Sequence, residues 1–210
     1  MSLETEIERQ VALAAIETLE GQDRPRGFSD LFLLLEETAT GLIERHRAES
    51  PPPTPLHCKD GCTHCCFTKH IVMTPPEALF LLDVIELCGF RLAVAQAARS
   101  SQKGCPLLSK KGHCRFYAHR PLMCRAFHSL DVEACKKGVG VPGNEVPIWP
   151  PHFEIYTRMQ AGLARGLMEK GLAMTKLDLR PVLALETPTA LLWDIWLGGG
   201  DPFTTARMGK

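Results

Sequence analysis

Apolar positions recur at helical spacing along most of this chain. Between residues 2 and 20, Leu3, Ile7, Val11, Ala14 and Leu19 lie near one face and Gly21 closes the run, which predicts an amphipathic helix. Gln22 to Gly27 reads as a loop. Ser29 is placed to cap a second helix, Asp30 to about Arg47, with Leu31, Leu34, Leu35, Ala39 and Leu42 inward. Pro51-Pro52-Pro53-Thr54-Pro55 forbids helix and predicts a stiff, extended connector. Lys69 to Met73 is β-branched enough for one short strand. In Thr74-Pro75-Pro76-Glu77 the threonine can accept an orphan amide, the proline suits a first turn and the glutamate can reach back. The helix that starts there should run to about Leu87 with Gly89 as its stop, and Arg91 to Gln102 predicts another.

Periodicity then fails. Gly104 to Phe127 is irregular, punctuated by Gly104, Pro106, Gly112 and Pro121. Asp131 to Lys137 predicts a short helix, and Gly138 to Pro151 a loop. Phe153 to Lys170 returns to helix with a stripe of Ile155, Met159, Leu163 and Leu167, and Gly162 and Gly166 beside it permit close packing. Leu177 to Glu186 and Thr189 to Leu197 read as two short helices, the second carrying Trp193 and Trp196; Gly198-Gly199-Gly200 opens a tail expected to be mobile. There is no internal repeat and no alternation of strand and helix. The expected fold is mainly α, with helices flanking a loop-rich, metal-stabilised module. The segments are a helical arm (1–50), a proline linker (51–57), the module (58–137), a loop (138–151) and a helical segment (152–210), forming one compact domain.

Composition narrows the function. With 210 residues, 45% of them hydrophobic, the chain can bury a core without cross-links. Its 24 basic and 24 acidic residues cancel, so no global field grips nucleic acid or anionic lipid. The N-terminus lacks the basic start and apolar core of a secretory signal, and the apolar runs are too short to span a bilayer. The expected location is the cytoplasm, where thiols stay reduced. Nine cysteines, an odd number, also count against a pure disulfide framework.

The chemistry concentrates in those cysteines. Cys58, Cys62, Cys65 and Cys66 fall within nine residues as C-x3-C-x2-C-C, and Cys105, Cys114 and Cys124 follow at backbone turns. Thiolates are soft ligands for zinc, copper(I) or iron. Gly61 allows the first turn. Adjacent side chains in extended chain point apart, so Cys65 and Cys66 should serve different metals, or one should bridge. Cys88, inside an apolar helix, reads as a core residue; Cys135, beside Lys136 and Lys137, reads as a free thiol outside the pattern. Lys59, Lys69, Lys110, Lys111, Arg115, Arg120 and Arg125 include the counter-charges that bound thiolates would need.

Cys58-x3-Cys62-x2-Cys65-Cys66, then Cys105-Pro106-Leu107-Leu108, then Gly112 through Phe127 in the run GHCRFYAHRPLMCRAF, resemble the YkgJ-type cysteine-cluster proteins, described as zinc- or iron-chelating domains. The resemblance covers about seventy residues, in three segments that match in order. It implies metal binding by these seven cysteines and no settled reaction, although some relatives are described as flagellin lysine methylases. The same stretch supplies Tyr117, Arg120 and Arg125, either to hold an anionic substrate or to neutralise thiolates and bond loop carbonyls. Among the nearby histidines 57, 64, 113 and 128, His64 and His128 rank first as extra ligands.

Spacing does not choose the metal. Seven thiolates could hold two zinc ions with one bridging sulfur, or a four-iron iron–sulfur cluster with three thiols spare. The C-x3-C-x2-C spacing also occurs in radical S-adenosylmethionine enzymes, but here a proline linker precedes it and helices follow. Three readings remain: a metal-chelating protein, a metal- or cluster-dependent enzyme, and a zinc-stabilised interaction module. No Ser-His-Asp arrangement, phosphate loop or H-E-x-x-H run is visible. Metal ions are the expected partners; nucleic acid and membrane are not.

Overall fold

The computed structural model describes residues 3–56, 58–59, 61–67, 70–139 and 141–208. Among them are nine α-helices and one two-stranded sheet, so the fold is mainly α, as the periodicity predicts. In chain order these are α1 (Leu3–Glu20), α2 (Arg24–Glu49), β1 (Val72–Met73), α3 (Pro75–Leu87), α4 (Arg91–Arg99) and α5 (Leu122–Ala126). They are followed by α6 (Val132–Lys137), α7 (Pro150–Glu169), β2 (Leu177–Asp178), α8 (Leu179–Leu183) and α9 (Thr189–Leu197). Single 3-10 turns cover His64–Phe67 and Tyr117–His119.

The core begins where α1 lies along α7, with α2 against both. Ile7, Val11 and Ala15 meet the buried stripe Ile155, Met159, Leu163 and Leu167. Gly162 and Gly166 make the close approach possible. A Cβ on Gly162 would fall 2.5 Å from the Glu8 carbonyl oxygen, and one on Gly166 would fall 2.4 Å from that of Ala12. A second layer joins α2, α3 and α9 through aromatic rings. Phe28 stacks on Trp193 at 5.5 Å and meets Trp196 edge-on at 5.6 Å, while Phe32 stacks on Phe80 at 5.2 Å. Both indoles find acceptors: Trp193 donates to Asp83 and Trp196 to the Ala173 carbonyl. Each such ring removed from water stabilises the fold by roughly 1.5–3 kcal/mol.

Several elements differ from expectation, each for a local reason. α2 starts at Arg24, six residues before the expected start, because Asp23 accepts the Arg26 N–H at 3.2 Å and Pro25 suits the first turn. That start makes Phe28, Leu31, Phe32, Leu35, Ala39 and Ile43 the buried stripe and leaves Leu34, expected inward, 54% exposed. The expected strand shrinks to Val72 and Met73; Lys69 lies outside the described residues. It pairs antiparallel with Leu177 and Asp178, which were expected to open a helix. Cys88, expected in the core, is exposed: it is the residue after the last turn of α3, past the buried Ile85. The tail after Gly200 is held. Phe203 and Ala206 are fully buried, and Asp178 N–H donates to the Ala206 carbonyl at 3.0 Å. Glu77 does reach back to the Thr74 N–H, at 2.8 Å. No helix among the described residues is long and apolar enough to cross a membrane.

Candidate metal centre

The loops that carry the cysteines are held by backbone and side-chain hydrogen bonds at each step. Gly61, at φ +86°, takes the left-handed conformation that closes the turn between Cys58 and Cys62, where Cys62 N–H donates to the Lys59 carbonyl at 3.0 Å. Cys65 and Cys66 sit on the first 3-10 turn, with Cys66 N–H donating to Thr63 O at 2.9 Å. The chain here is not extended, so the expected splaying does not occur; the two thiols hydrogen-bond each other.

Cys105 follows a segment clamped by Arg180, whose guanidinium donates to the carbonyls of Ala97, Ala98, Gln102 and Gly104. Ser109 N–H donates to His113 O at 2.8 Å and Arg115 N–H to Leu107 O at 3.0 Å, a tight antiparallel loop that brings Cys114 back towards Cys105. Cys124 rides on α5, whose first amide, at Leu122, donates to the Glu77 carboxylate at 2.8 Å. Arg125, 9% exposed, donates to the Arg120 and Ala118 carbonyls and pairs with Glu36, which also accepts the Tyr156 hydroxyl at 3.0 Å. Its guanidinium is thus occupied in tying α5 to α2 and α7. Arg120 stacks 3.6 Å over the Tyr117 ring and stands beside Cys65 and Cys124.

Six of the seven cysteines singled out by spacing, Cys62, Cys65, Cys66, Cys105, Cys114 and Cys124, line one cavity of about 840 Å³, together with Tyr117 and Arg120. Cys58 joins them through electrostatic contact with Cys62 and Cys65, and its sulfur accepts the Ser129 N–H at 3.2 Å. The sulfurs form two overlapping sets. Cys58, Cys62 and Cys135 are on one side, Cys105, Cys114 and Cys124 on the other, and Cys65 is the neighbour common to both.

Cys135, which the spacing leaves as a free thiol outside the pattern, lies beside this cluster. It is 6% exposed on α6, which packs on the Cys65–Cys66 turn, and it meets the Ser129 hydroxyl and the fields of Cys62 and Cys65. Its signal in the sequence was weak: one more cysteine eleven residues after Cys124, following the N-cap Asp131. His64 and His128 are not among the described residues that line the cavity. His128 instead stacks on His152, ring centroids 3.8 Å apart, and His57 lies outside the described residues. His113 lies against Gly61.

Burial pushes the Cys58 and Cys105 thiols up to about 11. The Cys66 contact and then burial raise Cys65, and burial raises Cys124 well above the ordinary thiol value. Neighbouring sulfurs add to each of these shifts, and Arg120 opposes the last two. Ionising such a crowd needs more positive charge than one guanidinium supplies. A bound divalent cation supplies it and deprotonates the thiols it touches.

Residues 57–140 match the family model CxxCxxCC, "Putative zinc- or iron-chelating domain". This segment, about two fifths of the chain, is similar to that family. No curated protein and no solved structure matches the chain. The CxxCxxCC segment contains all eight clustered sulfurs and stops short of α7, so the helices around it are outside the match. Among the described residues, no three His, Cys, Asp or Glu side chains are already closed around one point as metal ligands. The sulfurs share a cavity much wider than an ion. Their chemistry fits zinc or iron, and binding would draw the half-buried cysteine loops of the CxxCxxCC segment inward.

Proposed function

We propose that this chain is a metal-chelating protein in which Cys58, Cys62, Cys65, Cys66, Cys105, Cys114 and Cys124, with Cys135 as an eighth, hold zinc or iron in one multinuclear, thiolate-rich site. The observation that carries this reading is the convergence of six spacing-selected cysteines from three distant segments on one cavity. The position of Cys65 between both sets favours it as the sulfur shared by two ions. Arg120 serves as counter-charge, while Arg125 and Tyr117 hold the loops. His64 and His128 are left out of the ligand set. Metal-bound thiolates also suit a reducing compartment, so the cytoplasm is the working location.

A second reading has its own support. A closed structural site needs no large cavity beside it, and here about 840 Å³ adjoins the sulfurs. That favours a metal- or cluster-dependent enzyme over a zinc-stabilised interaction module.

Elemental analysis with an absorption spectrum on anaerobically purified full-length protein tests the proposal. Iron with inorganic sulfide and a brown colour would assign an iron–sulfur cluster; zinc and no colour would assign a zinc–thiolate site. Protein that takes up neither metal in stoichiometric amount refutes it. Cys62→Ser and Cys124→Ser should each lose metal, and Cys88→Ser should keep it.

A further inference from the structure

The cavity has walls besides the sulfurs. Away from the sulfurs its walls include Phe67, Ile71, Leu107, Met123, Phe127 and Phe153. Apolar walls supply no metal ligands, and the volume of about 840 Å³ lies in the range of organic-ligand pockets. On the same lining stand His70 and Asp178, neither of them part of the thiol set.

This pair is held in register by the sheet. Asp178 pairs with Val72 across β1 and β2, donates its N–H to the Ala206 carbonyl and accepts the Arg180 N–H on Oδ1. Its other oxygen, Oδ2, lies 2.6 Å from His70 Nδ1. A carboxylate can only accept, so Nδ1 carries a proton, and in the neutral imidazole Nε2 then presents a lone pair. Asp178 is 9% exposed, whereas the His70 side chain is 61% exposed, which puts the imidazole at the mouth of the cavity. Lys103, Arg120 and Arg180 also reach the lining, Arg180 with its guanidinium on loop carbonyls and Arg120 beside the thiols.

We propose that the cavity binds a small organic molecule with an apolar, ring-sized body and one acidic hydroxyl, and that His70 Nε2 accepts the hydroxyl proton. The O–H bond breaks, an N–H bond forms at Nε2, and the electron pair stays on oxygen. Nothing is oxidised or reduced, and no group leaves. Asp178 is a positioning residue that fixes the tautomer and aim of the ring.

The probe is 4-nitrophenol, which absorbs visible light only once its proton is lost, titrated into full-length, metal-containing protein at a pH where the free probe is mostly protonated. The expected result is a saturable rise in visible absorption. His70→Gln should keep its melting temperature and metal content, lose most of that absorption, and bind about tenfold more weakly, the size of one lost charge-assisted hydrogen bond. Asp178→Asn, which keeps the cap on α8, should lower the signal towards that of His70→Gln. Absence of saturable binding by the wild-type protein overturns the proposal. So does a His70→Gln variant that ionises the probe like wild type, since the proton would then be going elsewhere. Metal content read in the same samples separates this outcome from failure of the chelation reading.

Discussion

The Glu77 carboxylate, 3% exposed, accepts the Thr74 N–H and hydroxyl, the Leu122 N–H and the Gln160 amide. It thereby joins the starts of α3 and α5 to α7, and α5 carries Cys124. Burial raises its pKa while these donors work against that shift. Glu77→Gln would place an amide donor among groups that now all donate to the carboxylate, two of them backbone N–H groups that can only donate. We expect a loss of about 2 kcal/mol or more, read in urea melts, together with weaker metal retention. An unchanged melt would show that the four hydrogen bonds contribute little. The stacked His128 and His152 make a pH prediction. Burial holds His128 down to about 4 and His152 to about 3, and nearby arginines and the His128–His152 contact push the same way. Both folded values lie below the ordinary 6.5, so the folded state binds fewer protons than the unfolded chain. The stabilising effect is whole above about pH 6.5 and is lost as pH falls towards 4. Between pH 7 and 5 the cost should be on the order of 1 kcal/mol per ring, and His152→Phe should flatten part of that slope in urea titrations at the two pH values.

At the scale of elements, the tightest test is the α1–α7 contact. Gly166→Ala would set a Cβ 2.4 Å from the Ala12 carbonyl oxygen, which is backbone and cannot swing away. The helices must separate, at a cost of about 2 kcal/mol, or roughly 4–8 °C in melting temperature for a chain of this size; thermal melts followed by circular dichroism would read it. This contact was legible in the sequence, as glycines four apart beside an apolar stripe, because helix period and close packing are local properties. The capping start of α3, the bounds of α9 and the cysteine spacing were legible for the same reason. What the sequence hid is non-local. Glu36, Arg125 and Tyr156 are joined across about 120 residues, Arg180 clamps carbonyls some 80 residues away, and His70 finds Asp178 at a separation of 108. No period announces such pairs. Cys135 is a free thiol, as its place outside the spacing pattern predicts, and its burial is what the sequence did not show: Asp131 caps the helical turn that carries it.

Over the whole molecule, two kinds of order meet along the cysteine loops. The helices of the first and last thirds, together with α3, bury a continuous apolar core that includes Phe28, Leu79, Met159 and Trp196, and Cys105 and Cys114 pack against it. The segment from Gly104 to Phe127 has short elements only, yet Arg180, Arg125 and Glu77 already fasten it to that core. This arrangement differs from a small zinc domain, in which metal binding is the folding energy and the apo chain is unfolded. Removing metal from the full chain with a chelator should therefore leave far-ultraviolet helical dichroism nearly intact while lowering the melting temperature. It should also raise amide exchange selectively in residues 58–66 and 104–127. The fastenings set the expected pattern: exchange should rise least at Leu122, whose amide is held by Glu77, and most around Gly112, at the tip of the Cys114 loop. If chelation instead abolished the helical signal, the core would depend on the metal and the helices could not be the scaffold. If it left exchange in the cysteine loops unchanged, no metal would have been holding them.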